Sequence, residues 1–303
     1  MQFESDDTHQ PIEIKVDYEA CSNCGICADL CKGDLLHMVN ETLILEQTEN
    51  ASCTSCGECM ALCPENAIQV KGGAITGADL FSLKNSRRKP HYDDLLSLLQ
   101  SRHNITNFTP RAIDEEILQH ILKASKTAPL GFHPSDIRVN VFSTHDTVQR
   151  FRQNLIAEFG TMRKFLSLPR VLLRKLYTFG NTNTLNRKSI LQELNRISEK
   201  DAAEKDWLLY NASAAMHFYS VNTANSSETA LAAGYAMLAA ESLNIGSSVS
   251  PLSGLLLDNV QSLKEKYNIP KNSRQSLVMI LGYPEYKPTR GIEHQFRDVR
   301  YFD

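Results

Sequence analysis

Residues 21–36 read CSNCGICADLCKGDLL, and residues 53–68 read CTSCGECMALCPENAI. Both stretches space their cysteines as C-x2-C-x2-C-x3-C, at 21, 24, 27 and 31 and again at 53, 56, 59 and 63. Two-residue gaps let a tight loop wrap three thiolates round one face of a cubane iron–sulfur cluster, with backbone N–H groups turned toward the sulfurs. Gly25 and Gly57, each just after the second cysteine of its run, supply the freedom that such a wrap needs. Zinc also takes four cysteines, but zinc modules pair two C-x2-C knuckles per ion and leave no use for a third cysteine at x2 and a fourth at x3. The spacing favours two [4Fe–4S] clusters. In two-cluster proteins the fourth cysteine of each run crosses over. Cys21, Cys24, Cys27 and Cys63 then make one ligand set, and Cys53, Cys56, Cys59 and Cys31 the other.

These residues resemble a bacterial two-cluster ferredoxin over about residues 12–71. Pro64 follows Cys63 as that pattern expects, but Lys32 follows Cys31. A cation beside a ligand thiolate makes reduction easier, because it stabilises the added electron.

All eight cysteines lie within residues 21–63. Such clustering speaks for metal binding in a reducing compartment rather than a disulfide framework, and the expected location is cytoplasmic. The opening MQFESDDTHQ is acidic with no apolar run, and no stretch of eighteen apolar residues offers a membrane span. Residues 1–70 hold two Lys/Arg against thirteen Asp/Glu, a net −11, whereas the remainder holds 30 basic and 22 acidic residues, a net +8. Two charge regimes argue for two modules. The acidic one would be repelled by phosphate, so nucleic acid is not an expected partner.

The first module is read as residues 1–71, a connector as 72–90 and a large module as 91–303. KGGAITGADLFSLKNSRRKP (71–90) is rich in glycine, has a basic tail and shows no sustained period. From His91 the pattern turns helical through Leu95, Leu96, Leu98, Leu99 and Arg102. A second helix follows Asp114, which can cap it, with Glu115 and Glu116 in its first turn and Ile113 placed to staple on Leu118. DIRVNVFS (136–143) alternates as a half-buried strand, QSLVMILG (275–282) reads as a buried strand, and ETALAAGYAMLAAESLNIGSS (228–248) reads as one long helix of small residues. That helix packs either as ordinary core or against a second copy. The fold class is α+β.

SRHNITNFTPRAIDEEILQHILKASKTAPLG (101–131) resembles the opening of the nitroreductase family of FMN-dependent oxidoreductases. SVSPLSG (248–254) stands where that family has a Pro-aliphatic-x-Gly turn under the flavin ring, and LGYPEYKPTR (281–290) where it binds the flavin phosphate. The resemblance covers roughly 91–303. It implies that Arg102, Lys287 and Arg290 meet the phosphate, and that His103 and Asn104 bond the ribityl chain or ring edge. It places Pro129, Leu130 and Gly131 on or near the ring, with the Pro251–Leu252 turn beneath it. Backbone N–H groups of Ser253 and Gly254 would point at the ring positions where charge develops on reduction. Thr106 stands where the family often has a cation; Asn186, Arg187 and Lys188 are the candidates to replace it. His133 and Ser253 stand where the family has Asn and often Glu.

Residues 150–196 carry ten Lys/Arg against Glu158 and Glu193. They read as an active-site lid or a dock for the acidic module. Pro169 breaks any continuous amphipathic helix and counts against a membrane-surface role.

A cubane cluster moves one electron at a time, while a flavin takes one or two. The two resemblances together imply a transducer from clusters to FMN to an organic acceptor, with ferredoxin or NAD(P)H as donor and a homodimer as assembly. No GxGxxG fingerprint follows a strand, so a Rossmann NAD site is not indicated. The competing reading is a redox sensor or electron carrier whose flavin site is degenerate.

Overall fold

The structure, a computed structural model, describes residues 12–46, 53–72, 75–83, 89–129, 137–167, 187–202, 204–221 and 226–302. They form two compact units, the first ending at Lys89 and the second beginning at Pro90.

Two short antiparallel pairs frame the first unit. β1 (Glu13–Val16) runs against β4 (Ile68–Lys71), and β2 (Leu36–Val39) against β3 (Thr42–Leu45). Asn40 and Glu41 join β2 to β3 with φ of 48° and 61°, the two left-handed residues that a tight hairpin matched to strand twist needs. The short helices α1 (Ile26–Leu30) and α2 (Glu58–Ala61) each follow a glycine in the left-handed region, Gly25 at φ 77° and Gly57 at φ 76°. The correspondence extends to every position 32 residues apart that shapes the loops. Asn23 and Ser55 have φ of 55° and 53°, and Asp34 and Asn66 have 56° and 52°. Asn23 Oδ1 accepts from the Leu43 N–H at 3.0 Å, and Ser55 Oγ accepts from the Ile75 N–H at 3.2 Å. The unit is a two-fold repeat in structure as well as in cysteine spacing. Its core is small: Ile14, Leu36, Leu43, Met60, Ile68 and Val70 pack against the cysteines themselves.

The second unit is built on a four-stranded antiparallel sheet ordered β5 (Ile137–Phe142), β6 (Ala214–Ser220), β8 (Arg274–Gly282), β7 (Gly246–Ser250). β6, AAMHFYS, is buried along its whole length, so both faces of the sheet are covered. Met216, Phe218, Met279 and Leu281 face one layer, formed by Leu118 and Ile121 of α4 (Glu115–Ser125) and the alanines of α8 (Ser226–Ser242). Ala215, Tyr219, Val278 and Ile280 face the other. That layer takes Phe151 and Leu155 from α5 (His145–Ala157), Met162 from α6 (Phe159–Ser167) and Leu194 from α7 (Arg187–Ala202). Leu256 of α9 (Pro251–Asn259) and Leu263 of α10 (Gln261–Lys266) complete it. Alternation of the strand side chains thus serves two apolar layers at once.

Two local expectations change. The helix read over 228–248 ends at Ser242; Asn244 adopts φ 58°, and the chain re-enters as β7. The start of α4 is not fixed by a side-chain cap, since Asp114 makes no such bond. Ile113 and Leu118 lie in one buried cluster, and Glu115 and Glu116 sit at the positive end of the helix.

α3 (Tyr92–Ser101) is followed by a stretch that lies along the free edge of β7. Asn104 bridges Ser247 in the parallel sense, and the Ile105 N–H donates to the Ser247 carbonyl at 3.0 Å. A Cβ on Gly246 would come within 2.8 Å of Ile105, so only glycine lets this stretch approach the strand.

Candidate functional site

Cys21, Cys24, Cys27 and Cys63 line one cavity, while Cys31, Cys53, Cys56 and Cys59 line a second. Each cavity takes three thiols from one loop and the fourth from the other. Burial pushes the Cys59 thiol up to about 11, and like charge on Cys56, Cys53 and Cys31 adds to it. Burial also raises Cys53 and Cys27, with neighbouring thiols of the same cavity contributing. Holding four such groups together is unfavourable unless something cationic fills the space. The backbone prepares for that. The left-handed Asn23 and Ser55 turn their N–H groups onto Cys21 Sγ and Cys53 Sγ at 3.4 and 3.3 Å, and the Ala67 N–H donates to Cys63 Sγ at 3.2 Å. Among the described residues no three His, Cys, Asp or Glu gather as a single metal ion requires. Thiols that ring a cavity, rather than converge on a point, fit a multinuclear iron–sulfur cluster better than one zinc ion.

In the second unit a cleft of about 1190 Å³ brings together Arg102, His103, Asn104, Lys287 and Arg290. Arg102 donates to Asn104 Oδ1 at 3.2 Å. His103 Nδ1 lies 2.8 Å from the Ser101 carbonyl, which makes Nδ1 the donor. Three cations around one cleft form a donor set that suits a phosphate dianion. Gln100, Glu241, Asn244 and the tail residues Glu293 and His294 also line it. None of these was marked by sequence pattern, because α3, the end of α8 and the tail meet only in three dimensions.

The remaining candidates either do not line this cleft or fall outside the described residues. Thr106 and Pro129 do not line this cleft; Leu130, Gly131 and His133 fall outside the described residues. Asn186 also falls outside them, and Lys188, at the start of α7, does not line the cleft. Pro251, Leu252, Ser253 and Gly254 are the first turn of α9, at the far end of β7 from Gly246 in the cleft wall. Proline suits that first position, and no side chain caps the turn. The side chain of Ser253 is not open: the residue is 0% exposed and its Oγ lies 2.7 Å from Ser250 Oγ. Gly254 has a packing reason, since a Cβ there would lie 2.2 Å from the Ser276 carbonyl oxygen of β8.

Three arginines of the described part of the basic stretch make internal contacts. Arg152 pairs with Asp201 and, at 3.1 Å, with Asp206. Arg163 donates to Asn195 Oδ1, Ser198 Oγ and the Leu194 carbonyl, tying α6 to α7. Arg196 pairs with Glu193 and lies over the Trp207 ring. Residues 168–186, which include most of the apolar-basic run, lie outside the described residues.

Residues 20–68 match the 4Fe-4S dicluster domain family. No curated protein sequence matches the chain. A solved nitroreductase with bound FMN from Desulfitobacterium hafniense DCB-2 is similar at 16% identity and a TM-score of 0.51, over 70% of this chain and 100% of that one. A second, a nitroreductase with bound FMN from Bacteroides fragilis NCTC 9343, is similar at 16% identity and a TM-score of 0.51, over 69% of this chain and 99% of that one. The chain therefore joins a segment matching the 4Fe-4S dicluster family to a unit with the nitroreductase fold.

Proposed function

We propose that this protein is an iron–sulfur flavoprotein oxidoreductase that passes electrons from two [4Fe–4S] clusters to FMN and on to a small organic acceptor, such as a nitroaromatic or a quinone. One observation carries the reading: a single chain holds two four-thiol cavities and a nitroreductase-fold unit whose cleft gathers Arg102, Lys287 and Arg290. FMN supplies one- and two-electron chemistry when bound. The chain's own residues bind and orient it. The three cations neutralise its phosphate, and His103 and Asn104 offer polar contacts beside them. The backbone N–H groups of Ser253 and Gly254, in the first turn of α9, are assigned to the ring positions where negative charge develops. Thr106, Pro129, Leu130, Gly131 and Pro251 are assigned to the ring side.

Reduced ferredoxin or NAD(P)H is the proposed donor. The proposed location is the cytoplasm, whose reducing conditions suit eight free thiols. The proposed assembly is a homodimer. α3 buries none of its residues, and Phe296, Tyr301 and Phe302 of the tail are 88–90% exposed, a surface that a second copy would cover. Light scattering of the FMN-loaded protein at micromolar concentration tests this, and a monomer rejects it.

Anaerobic purification with iron, sulfide and flavin analysis tests the cofactors. About eight iron atoms and one FMN per chain are expected, and zinc or about four iron atoms would reject the assignment. Turnover with reduced ferredoxin and with NAD(P)H, against nitroaromatic and quinone acceptors, tests the activity. Full cofactor content without turnover of any acceptor would favour a sensor or carrier.

A further inference from the structure

We propose that the two thiol cavities are unequal electron sites, and that the first electron taken up settles at the cavity of Cys31, Cys53, Cys56 and Cys59 because Lys32 lines it. The inference rests on the proposed loading of both cavities with [4Fe–4S] clusters.

The repeat of 32 residues turns the two cavities into a controlled comparison. Their first-cysteine hydrogen bonds match, at 3.4 and 3.3 Å. Their left-handed residues match, and Cys24 and Cys56 are both exposed. The fixed charges do not match. After the crossing cysteine one loop reads Lys32-Gly33 and the other Pro64-Glu65. Lys32 and Gly33 line the second cavity, together with Glu58; Glu65 lines the first, where Ile26 stands in place of Glu58. The residues lining one cavity thus include an acid and no base, and those lining the other include an acid and a base.

Adding an electron beside Glu65 is opposed, while adding it beside Lys32 is favoured. One feature works the other way: the Ala67 N–H donates to Cys63 Sγ and so helps the first cavity. A unit charge acts over a longer range than a hydrogen-bond dipole, so Lys32 sets the order. The step itself is balanced simply. A one-electron donor loses one electron, the Lys32 site gains it, and no bond or proton moves. The second electron then goes to the Glu65 site and needs a stronger reductant. The protein can therefore hold one electron at rest until another arrives.

The test is an anaerobic redox titration of the full-length protein, followed by low-temperature EPR of the reduced clusters, with iron and sulfide measured on each sample. The natural chain should show two separate one-electron steps. Lys32→Pro should lower the upper step and leave the lower in place. The exchange Lys32→Pro with Pro64→Lys should raise the step that Lys32→Pro left unmoved. Should the proline variant lose iron, Lys32→Gln removes the charge without changing the backbone and should shift the upper step the same way. An upper step that stays put when charge is removed from an iron-replete variant overturns the proposal, as do coincident steps in the natural chain. Iron content far below two clusters would instead overturn the loading on which the proposal rests, and so be told apart from it.

Discussion

The two units face opposite electrostatic problems. Residues 1–70 carry a net −11, and the first unit must in addition hold eight thiols in two groups with four-residue strands and a handful of buried aliphatic side chains. The remainder carries a net +8, and the second unit gathers cations at a cleft while resting on two apolar layers over a sheet. With so small a core, the first unit is expected to depend on what fills its cavities. The second has a fold that stands apart from its ligand.

The largest expected effect breaks that comparison if it fails. Chelating the iron from anaerobic protein should open residues 12–72 to proteolysis, while the second unit melts as before. Trp207 is the only tryptophan in the chain and lies in the second unit, so its fluorescence follows that unit alone. Protection of the first unit that survives iron removal would show that its small core suffices.

A cavity in the second unit should have the reverse distribution. Ile121 of α4 is fully buried against the sheet, so Ile121→Ala should cost about 2–5 kcal/mol. Urea unfolding followed at Trp207 should record the loss, with iron content unchanged.

Arg102→Ala should weaken FMN by roughly 10- to 100-fold, the loss of about 1.5–3 kcal/mol for a charge-assisted hydrogen bond. Flavin titration measures this, and the cluster spectrum should not move. Cys53→Ala should do the opposite, sparing FMN affinity while slowing flavin reduction by an external one-electron donor in stopped-flow. Flavin reduction at the normal rate in a Cys53 variant that lacks its cluster would make that cluster structural.

Per pH unit, the smallest effect concerns acid. His217 is 1% exposed, stacks on Tyr219 with ring centroids 4.8 Å apart, and its Nε2 has no hydrogen-bond partner among the described residues. Burial, with the charge of Lys264 adding, lowers its pKa to about 3. The unfolded chain therefore binds a proton below pH 6.5 that the folded unit refuses. Stability of the second unit should fall by about 1.4 kcal/mol per pH unit from 6.5 downward toward pH 3. His217→Phe should flatten that slope between pH 6.5 and 5 in Trp207-monitored urea unfolding.

The same contrast explains what the sequence could and could not tell. The thiol loops were legible because their geometry is local: short gaps and left-handed residues such as Gly25 and Gly57 decide which sulfurs meet. The cleft was legible only where it is contiguous, at Arg102–Asn104, and where the basic run at Lys287–Arg290 recurs. Glu241 and Asn244 enter because α8 stops early, and nothing in the alanine-rich run ETALAAGYAMLAAES announces that Asn244 will turn left-handed. Gly254 was read as part of a flavin turn, yet the contact that demands glycine there is the Ser276 carbonyl of β8. A strand that lies elsewhere in the chain writes no local signal beside its partner.

The exchange of the fourth thiol between the loops also sets a timetable for synthesis. A ribosome that has released only the first loop has exposed Cys21, Cys24, Cys27 and Cys31, three thiols of one cavity and one of the other. Neither cavity can close until the second loop emerges, and the first of them waits for Cys63. Iron delivered to the nascent chain before then meets an incomplete site, so on the proposed loading both clusters are expected to be inserted late and nearly together.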